Sequence, residues 1–195
     1  MNKNSIKNLG LLGGTFDPPH KGHLIISKIV IKKLNLHKLF WSITKQNPLK
    51  KNNPFFNEKK RIPLCKKIIK NEKKITLLRA DKIKNSDFTI NIIKHLKKKM
   101  KKDHHLFFII GADNLINFHK WNNYSKIFSL CTLIVMNRSG YKKKALDSFS
   151  AKKYANFRRN LAELIKNKPK KNEWIFINNK PINVSSSKLR ISLYK

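Results

Sequence analysis

Two histidines that lie three residues apart, His20 and His23, are the residues of this sequence best placed to do chemistry. They belong to the segment GGTFDPPHKGH at residues 13–23, which follows a short apolar run and leads into apolar residues at helical spacing. Glycines let a backbone approach an anion closely, and the first amides of a helix point unpaired N–H groups toward it. We therefore expect the two imidazoles to donate hydrogen bonds to phosphate oxygens at a helix entrance.

A second candidate site follows the clearest strand of the sequence, the apolar run at residues 105–110. Gly111 and Asp113 come directly after this run, and open α/β sheets bind ligands at the carboxyl ends of their strands. A carboxylate in that place can accept hydrogen bonds from the hydroxyls of a ribose. The alternative is that Asp113 only caps the helix that follows.

A third candidate lies near the end of the chain, where the segment Val-Ser-Ser-Ser-Lys-Leu-Arg covers residues 184–190. Serines cap helices routinely, so this turn alone is weak evidence for a site. Helix-entrance amides, the hydroxyls of Ser185 and Ser186 and the fork-shaped guanidinium of Arg190 would nevertheless suit a phosphate. The sequence thus contains one possible phosphate site near each end.

Strand-like apolar runs alternate with amphipathic helical stretches along the chain. This alternation predicts an α/β fold, a single doubly wound (Rossmann-like) parallel sheet with helices on both faces. We expect one domain over residues 1–195, with no linker and no internal repeat. The strand-like runs lie at residues 9–12, 38–43, 75–80, 105–110, 130–136 and 173–177.

The helical stretches carry more local expectations. Ser86 and Thr89 are both suitable N-cap residues for the helix that follows them. Pro63 predicts a break or a first-turn position in the helix that begins at Asn57 and Glu58. Residues 142–151 suggest a mobile connection, and residues 152–165 a single helix.

The composition is strongly basic, with 45 Lys+Arg against 10 Asp+Glu and a net charge of +35. A basic chain raises the possibility of nucleic-acid binding, but the lysines are spread over the whole sequence among many asparagines and isoleucines. This spread favours a composition typical of an A/T-rich genome, and otherwise faster capture of polyanionic substrates. Two widely separated cysteines in apolar surroundings, no membrane-length apolar run and no signal-peptide core predict a cytoplasmic protein.

The segment at residues 13–23 resembles the signature of the HxGH nucleotidyltransferase superfamily, and its wording is closest to bacterial nicotinate mononucleotide adenylyltransferases. The serine segment at residues 184–190 is similar to the family's Ile-Ser-Ser-Thr-x-Ile-Arg, and Gly111-Ala112-Asp113 to its Gly-x-Asp. The resemblance implies attack by the 5′-phosphate of nicotinate mononucleotide on the α-phosphorus of ATP. This is a direct in-line transfer that gives nicotinate adenine dinucleotide and pyrophosphate in NAD biosynthesis. Relatives usually carry a further C-terminal helix, so the chain looks shortened there.

The resemblance also implies roles for particular residues. It makes His20, His23 and Arg190 the catalytic residues. The implied ATP-binding residues are Gly13, Gly14, Thr15, Phe16, His20, Gly22, His23, Gly111, Asp113, Ser185, Ser186 and Arg190. The implied nicotinate mononucleotide-binding residues are Thr89, Trp121, Arg138 and Lys45. Each of these four also has a simpler interpretation, as a helix cap, a core aromatic, a surface arginine and a solvated loop lysine, respectively.

We expect Mg²⁺ as a cofactor carried mainly by ATP, because the sequence shows no cluster of carboxylates for it. Zinc at His20 and His23 is not expected, since no acid or thiol lies near them in a ligand pattern. The expected partners are ATP and nicotinate mononucleotide, with no specific nucleic acid and no membrane, in a monomer or homodimer. The alternatives are another enzyme of the superfamily, such as phosphopantetheine adenylyltransferase, or a basic nucleic-acid-binding protein.

Overall fold

The computed structural model describes residues 7–45, 49, 53–78, 80, 83–86, 88–180 and 186–192. The six strands are β1 (Lys7–Gly14), β2 (Leu36–Ile43), β3 (Ile75–Leu78), β4 (His104–Gly111), β5 (Thr132–Met136) and β6 (Trp174–Ile177). The α-helices are α1 (Lys21–Lys33), α2 (Glu58–Ile69), α3 (Thr89–Lys99), α4 (Ala112–Ile116), α5 (Tyr124–Leu130), α6 (Lys142–Leu146), α7 (Phe149–Lys153), α8 (Leu161–Lys166) and α9 (Ser186–Ser192).

The strands form one parallel sheet in the order β3-β2-β1-β4-β5-β6. The chain winds outward in one direction from β1 and in the other direction from β4, so the strand order reverses between these two central strands. Crossover connections of parallel strands run over the faces of a sheet, which explains why every strand is followed by helix. The predicted doubly wound α/β fold is confirmed, and ligands are expected at the reversal point beside the ends of β1 and β4.

Side chains of β4 alternate between two cores, one on each face of the sheet. Phe108 is buried against α3 and α5, whereas Phe107 is buried on the opposite face with α1 and α2. Burial of such a side chain stabilises the fold by roughly 1.5–3 kcal/mol. Because both faces of the sheet are covered, β4 is an unbroken apolar run rather than an alternating one.

Several local expectations were wrong. Pro63 lies inside α2 without ending it. Residues 142–151 are largely helical, since α6 covers Lys142–Leu146 and α7 begins at Phe149 after a Ser148 cap that accepts from the amide of Ala151. Residues 152–165 are not one helix, because α7 ends at Lys153 and α8 begins only after Asn160, whose side chain forms a capping box with Glu163.

None of the helices in the described parts of the chain is long and apolar enough to cross a membrane.

Candidate active site

The two histidines form the entrance of α1 and hold each other in place. His20 is the N-cap residue, and its Nδ1 accepts a hydrogen bond from the amide of Gly22 at 3.1 Å. The Nδ1 of His23 accepts from the amide of His20 at 3.2 Å. The ring centroids are 3.9 Å apart. Since Nδ1 is an acceptor in both rings, the neutral form of each carries its proton on Nε2, which remains available as a donor.

Both imidazoles are held in the neutral state. Burial, and to a smaller extent the charge of Arg138, lower the pKa of His20 to about 4. Burial, the neighbouring His20 and Arg138 together lower the pKa of His23 to about 3. At neutral pH the pair therefore offers two fixed Nε2–H donors without adding charge of its own.

Nitrogen-15 NMR of the two rings is expected to show neutral Nε2–H tautomers from pH 8 down to about pH 5, because their pKa values lie well below the usual 6.5. The unfolded chain takes up these protons near pH 6.5 and the folded chain only near pH 4 or below. Stability should therefore fall as the pH drops through this window. A ring of His20 or His23 that titrates near pH 6.5 would contradict the geometry.

The histidine pair rests on a buried aromatic support. Phe16 has a positive φ of 49° and is almost fully buried. Its ring stacks on Trp41 with centroids 4.8 Å apart and contacts His23 at 4.7 Å. Trp41 donates from Nε1 to Ser27, whose hydroxyl donates to the carbonyl of His23, each at 2.8 Å. A left-handed conformation is uncommon outside glycine, and here it places an aromatic ring under the imidazoles.

Arg61 is a site residue that the sequence did not reveal. The residue as a whole is 1% exposed. It donates to the carbonyls of Thr15 and Thr44 at 2.6 and 2.8 Å and to that of Lys45 at 3.0 Å. These carbonyls follow β1 and β2, so one side chain ties together the two loops at the carboxyl edge of the sheet. Burial lowers the pKa of Arg61, and the carboxylates of Asp17 and Glu58 oppose that shift.

Replacing Arg61 by lysine is expected to lower the free energy of unfolding by roughly 2–3 kcal/mol. A compact ammonium cannot span three carbonyls and leaves buried acceptors unpaired. Urea denaturation measures the loss, and Arg159→Lys is the matched control because the Arg159 side chain is about half exposed and forms an ion pair with Glu173. Equal stability of the two variants would show that Arg61 does not clamp the loops.

The last described helix contacts the loop between β1 and α1. Ser186 donates from its hydroxyl to the carbonyl of Pro18 at 2.9 Å. Arg190 donates to the carbonyl of Asp17 and lies 3.5 Å from its carboxylate. The two candidate phosphate sites of the sequence therefore border one loop. Ser185 lies outside the described residues.

At the end of β4, Asp113 folds back over Gly111. A Cβ atom at Gly111 would lie too close to Oδ1 of Asp113, so a larger residue there would displace this carboxylate. The helix cap is Gly111 rather than Asp113, so the interpretation of Asp113 as a simple cap was wrong. Its Oδ2 pairs with Nη1 of Arg138 at 2.5 Å, whereas Oδ1 is buried and has no hydrogen-bond partner among the described residues. An unpaired buried acceptor costs free energy, so Oδ1 is suited to a ligand hydroxyl.

The remaining candidates, Thr89, Trp121 and Lys45, each follow a different strand of the sheet. The N-cap of α3 is Phe88, which makes no side-chain cap, so the expectation that Ser86 or Thr89 caps this helix was wrong. Thr89 is instead the first residue of α3, and the N-cap residue of this helix accepts no hydrogen bond from the first-turn amides through its side chain. Trp121 is partly buried against Phe108 and Phe118.

Lys45 is exposed at the end of β2, and its carbonyl is held by Arg61. In chain order, the four candidates for the second substrate thus come after β2, β3, β4 and β5.

The described residues contain no group of three or more His, Cys, Asp or Glu side chains that could hold a metal ion. Both oxygens of Asp17 accept backbone amides. Asp113 offers the only free oxygen of these two site carboxylates. This donor set suits a Mg²⁺ ion that keeps substrate oxygens and water as ligands, rather than one enclosed by protein.

Comparison with known proteins gives a consistent result. The family model described as cytidylyltransferase-like matches residues 11–191. A Pelagibacter ubique protein named "Probable nicotinate-nucleotide adenylyltransferase" is 44% identical over 93% of this chain and 91% of its own length. An Agrobacterium fabrum protein of the same name is 32% identical over 93% of this chain and 97% of its own length.

Among solved structures, a Plasmodium falciparum nicotinic acid mononucleotide adenylyltransferase complexed with NaAD has a similar fold. It matches with a TM-score of 0.66 and 20% identity over 95% of this chain and 83% of that one.

Proposed function

The chain belongs to the cytidylyltransferase-like family and, within it, to the nicotinate-nucleotide adenylyltransferases, and we propose that it joins ATP and nicotinate mononucleotide by the following arrangement. The products are nicotinate adenine dinucleotide and pyrophosphate, in NAD biosynthesis. The observation that carries the proposal is the histidine pair, locked as two neutral Nε2–H donors beside a loop that the C-terminal helix also contacts.

The nucleophile is a phosphate that is already an anion at neutral pH, so the reaction requires no general base. This agrees with the lowered pKa values of His20 and His23, which suit donors better than proton acceptors. The protein's task is to align two polyanions that repel each other and to stabilise charge on the transferring group. His20 and His23 donate to the ATP phosphates, and Arg190 with Ser185 and Ser186 holds the end that leaves as pyrophosphate.

Asp113 and Arg138 serve the two substrates from one ion pair. The free Oδ1 of Asp113 accepts from the ATP ribose, while Oδ2 fixes Arg138. Arg138 binds the phosphate of nicotinate mononucleotide. The attacking phosphate must lie beside the α-phosphate, and the effect of Arg138 on the pKa values of both histidines supports such a position.

The pyridine end of nicotinate mononucleotide lies toward α3 and Trp121. The first amides of α3 favour its carboxylate, Trp121 offers an aromatic surface, and Lys45 adds a cation at the facing loop. The glycine turn (Gly13, Gly14, Thr15, Phe16 and Gly22) brings the backbone close to the triphosphate. Mg²⁺ would be held mainly by the phosphate oxygens of ATP, where it would neutralise part of their charge. The reaction belongs in the cytoplasm, and a monomer or homodimer suffices because the site lies within one chain.

The test is pyrophosphate release by the purified protein with MgATP and one acceptor at a time: nicotinate mononucleotide, nicotinamide mononucleotide or 4′-phosphopantetheine. We expect turnover with nicotinate mononucleotide and none with phosphopantetheine. Use of phosphopantetheine alone would overturn the substrate assignment. Salt-sensitive DNA binding that survives His20→Ala and His23→Ala, without any turnover, would favour the nucleic-acid-binding alternative.

A further inference from the structure

Asp17 joins three segments that are far apart in the sequence. The residue is 5% exposed. Its Oδ2 accepts from the amide of Phe55 at 2.7 Å, and its Oδ1 accepts from the amide of Phe56 at 2.8 Å. These two amides lie just before Asn57, the N-cap of α2. The carboxylate therefore fixes the entrance of α2 to the loop that leads to the histidines.

The same residue holds Arg190. Nη1 of Arg190 donates to the backbone carbonyl of Asp17 and lies 3.5 Å from its Oδ2. Nη2 of Arg190 donates to Ser187 at 3.2 Å. These contacts fix the direction of a planar guanidinium, which otherwise has several rotamers.

The negative charge of Asp17 is needed as well as its shape. Arg61 and Arg190 both lie close enough to interact with this carboxylate, in a chain that has only 10 acidic residues against 45 basic ones. An amide at position 17 would have one acceptor oxygen for two backbone amides and would turn an NH₂ group toward one of them. It would also leave Arg190 without its counter-charge.

We propose that Asp17 is a positioning residue that presents Arg190 to the phosphates of ATP. This rests on the role that the proposed function gives to Arg190. Asp17 touches no substrate atom, and it acts by fixing the guanidinium before ATP arrives, which lowers the entropic cost of binding and of reaching the transition state. A purely structural Asp17 would join the loops without any energetic link to Arg190 in catalysis.

A double-mutant cycle on the full chain tests the proposal. The variants are Asp17→Asn, Arg190→Gln and the pair, and kcat and KM for ATP are measured from pyrophosphate release. Glu72→Gln is the matched control, since it also removes one acid from an ion pair, with Lys28, away from the site. We expect Asp17→Asn to lower kcat/KM for ATP by about 30-fold, with a smaller change in KM for nicotinate mononucleotide. In the Arg190→Gln background, Asp17→Asn should change kcat/KM for ATP by less than about threefold.

Binding of α,β-methylene-ATP, measured by calorimetry on the same variants, gives a second readout that does not need turnover. If Asp17→Asn does not fold, Asp17→Glu enters the cycle, because it keeps the charge and both acceptors but displaces Arg190. The decrease in kcat/KM for ATP caused by Asp17→Glu should likewise disappear in the Arg190→Gln background.

The outcomes separate the two proposals. Turnover with non-additive effects supports the role of Asp17. If the protein shows turnover and Asp17→Asn lowers kcat/KM for ATP equally in the unsubstituted and the Arg190→Gln backgrounds, the role of Asp17 is overturned and the enzymatic function stands. No turnover but coupled effects on analogue binding overturns the function and supports the positioning role. Neither turnover nor analogue binding by the unsubstituted protein overturns both.

Discussion

Replacing His23 by asparagine is expected to lower kcat by about 10²–10³, the usual loss when one fixed donor to a transition state is removed. The asparagine oxygen can occupy the place of Nδ1 and continue to accept from the amide of His20. The Nε2–H donor is lost. The substitution thus removes the chemistry of the ring while keeping its part in the cap, and steady-state pyrophosphate release measures the effect.

His37→Asn is the control, since His37 is exposed on β2. Circular dichroism and the melting temperature show whether α1 persists. An active His23→Asn enzyme would show that this ring donates to no phosphate. Loss of helical signal would show instead that His23 is mainly structural. His20→Asn is expected to behave in the same way, because asparagine is a good N-cap residue.

Replacing Arg190 by glutamine should lower kcat/KM for ATP by about 10²–10³, since a charge-assisted, forked contact to the leaving phosphates is lost. Arg190→Lys keeps the charge but not the fork, and we expect it to recover only part of the activity. Kinetics with ATP varied at saturating nicotinate mononucleotide measure both effects.

Arg159→Gln serves as the matched control, because it breaks a partly buried ion pair with Glu173, which directly precedes the first residue of β6. Neither residue of this pair is a candidate site residue, so the activity of the variant should remain near that of the unsubstituted protein. An Arg190→Gln enzyme with unchanged kinetics for ATP would exclude the C-terminal helix from the phosphate site.

The fold was predictable because its central strands are long apolar runs. Residues 105–110 lie wholly within β4, and the glycine and aspartate that end this run stand at the sheet edge where the pattern placed them. The spacing of apolar residues and the presence of turn-forming residues are properties of short segments, so they can be recognised from the sequence alone.

Arg61 was not predictable in the same way, because it occupies one position of a helix rich in exposed cations. The periodicity of apolar residues in α2 does not indicate which of its basic residues is buried. A compositional signal was present nevertheless. Only six of the 45 basic residues are arginine, and Arg61, Arg138 and Arg190 all lie at the site. In a lysine-biased chain, arginine persists where a planar fork is needed.

The pairing of Asp113 with Arg138 shows a second limit. Each residue follows its own strand, β4 or β5, and the two strands are neighbours in the sheet. The family resemblance assigned Asp113 to ATP and Arg138 to nicotinate mononucleotide. That they share one ion pair depends on strand register and side-chain direction, which only the folded chain determines.

A crystal structure with bound α,β-methylene-ATP tests most directly the claim that the two ends of the chain bind one triphosphate. We expect Nε2 of His20 and His23, and the guanidinium of Arg190, to lie about 2.7–3.2 Å from oxygens of the same triphosphate. A triphosphate bound at the histidines with Arg190 turned away from it, or bound elsewhere in the molecule, would contradict the account.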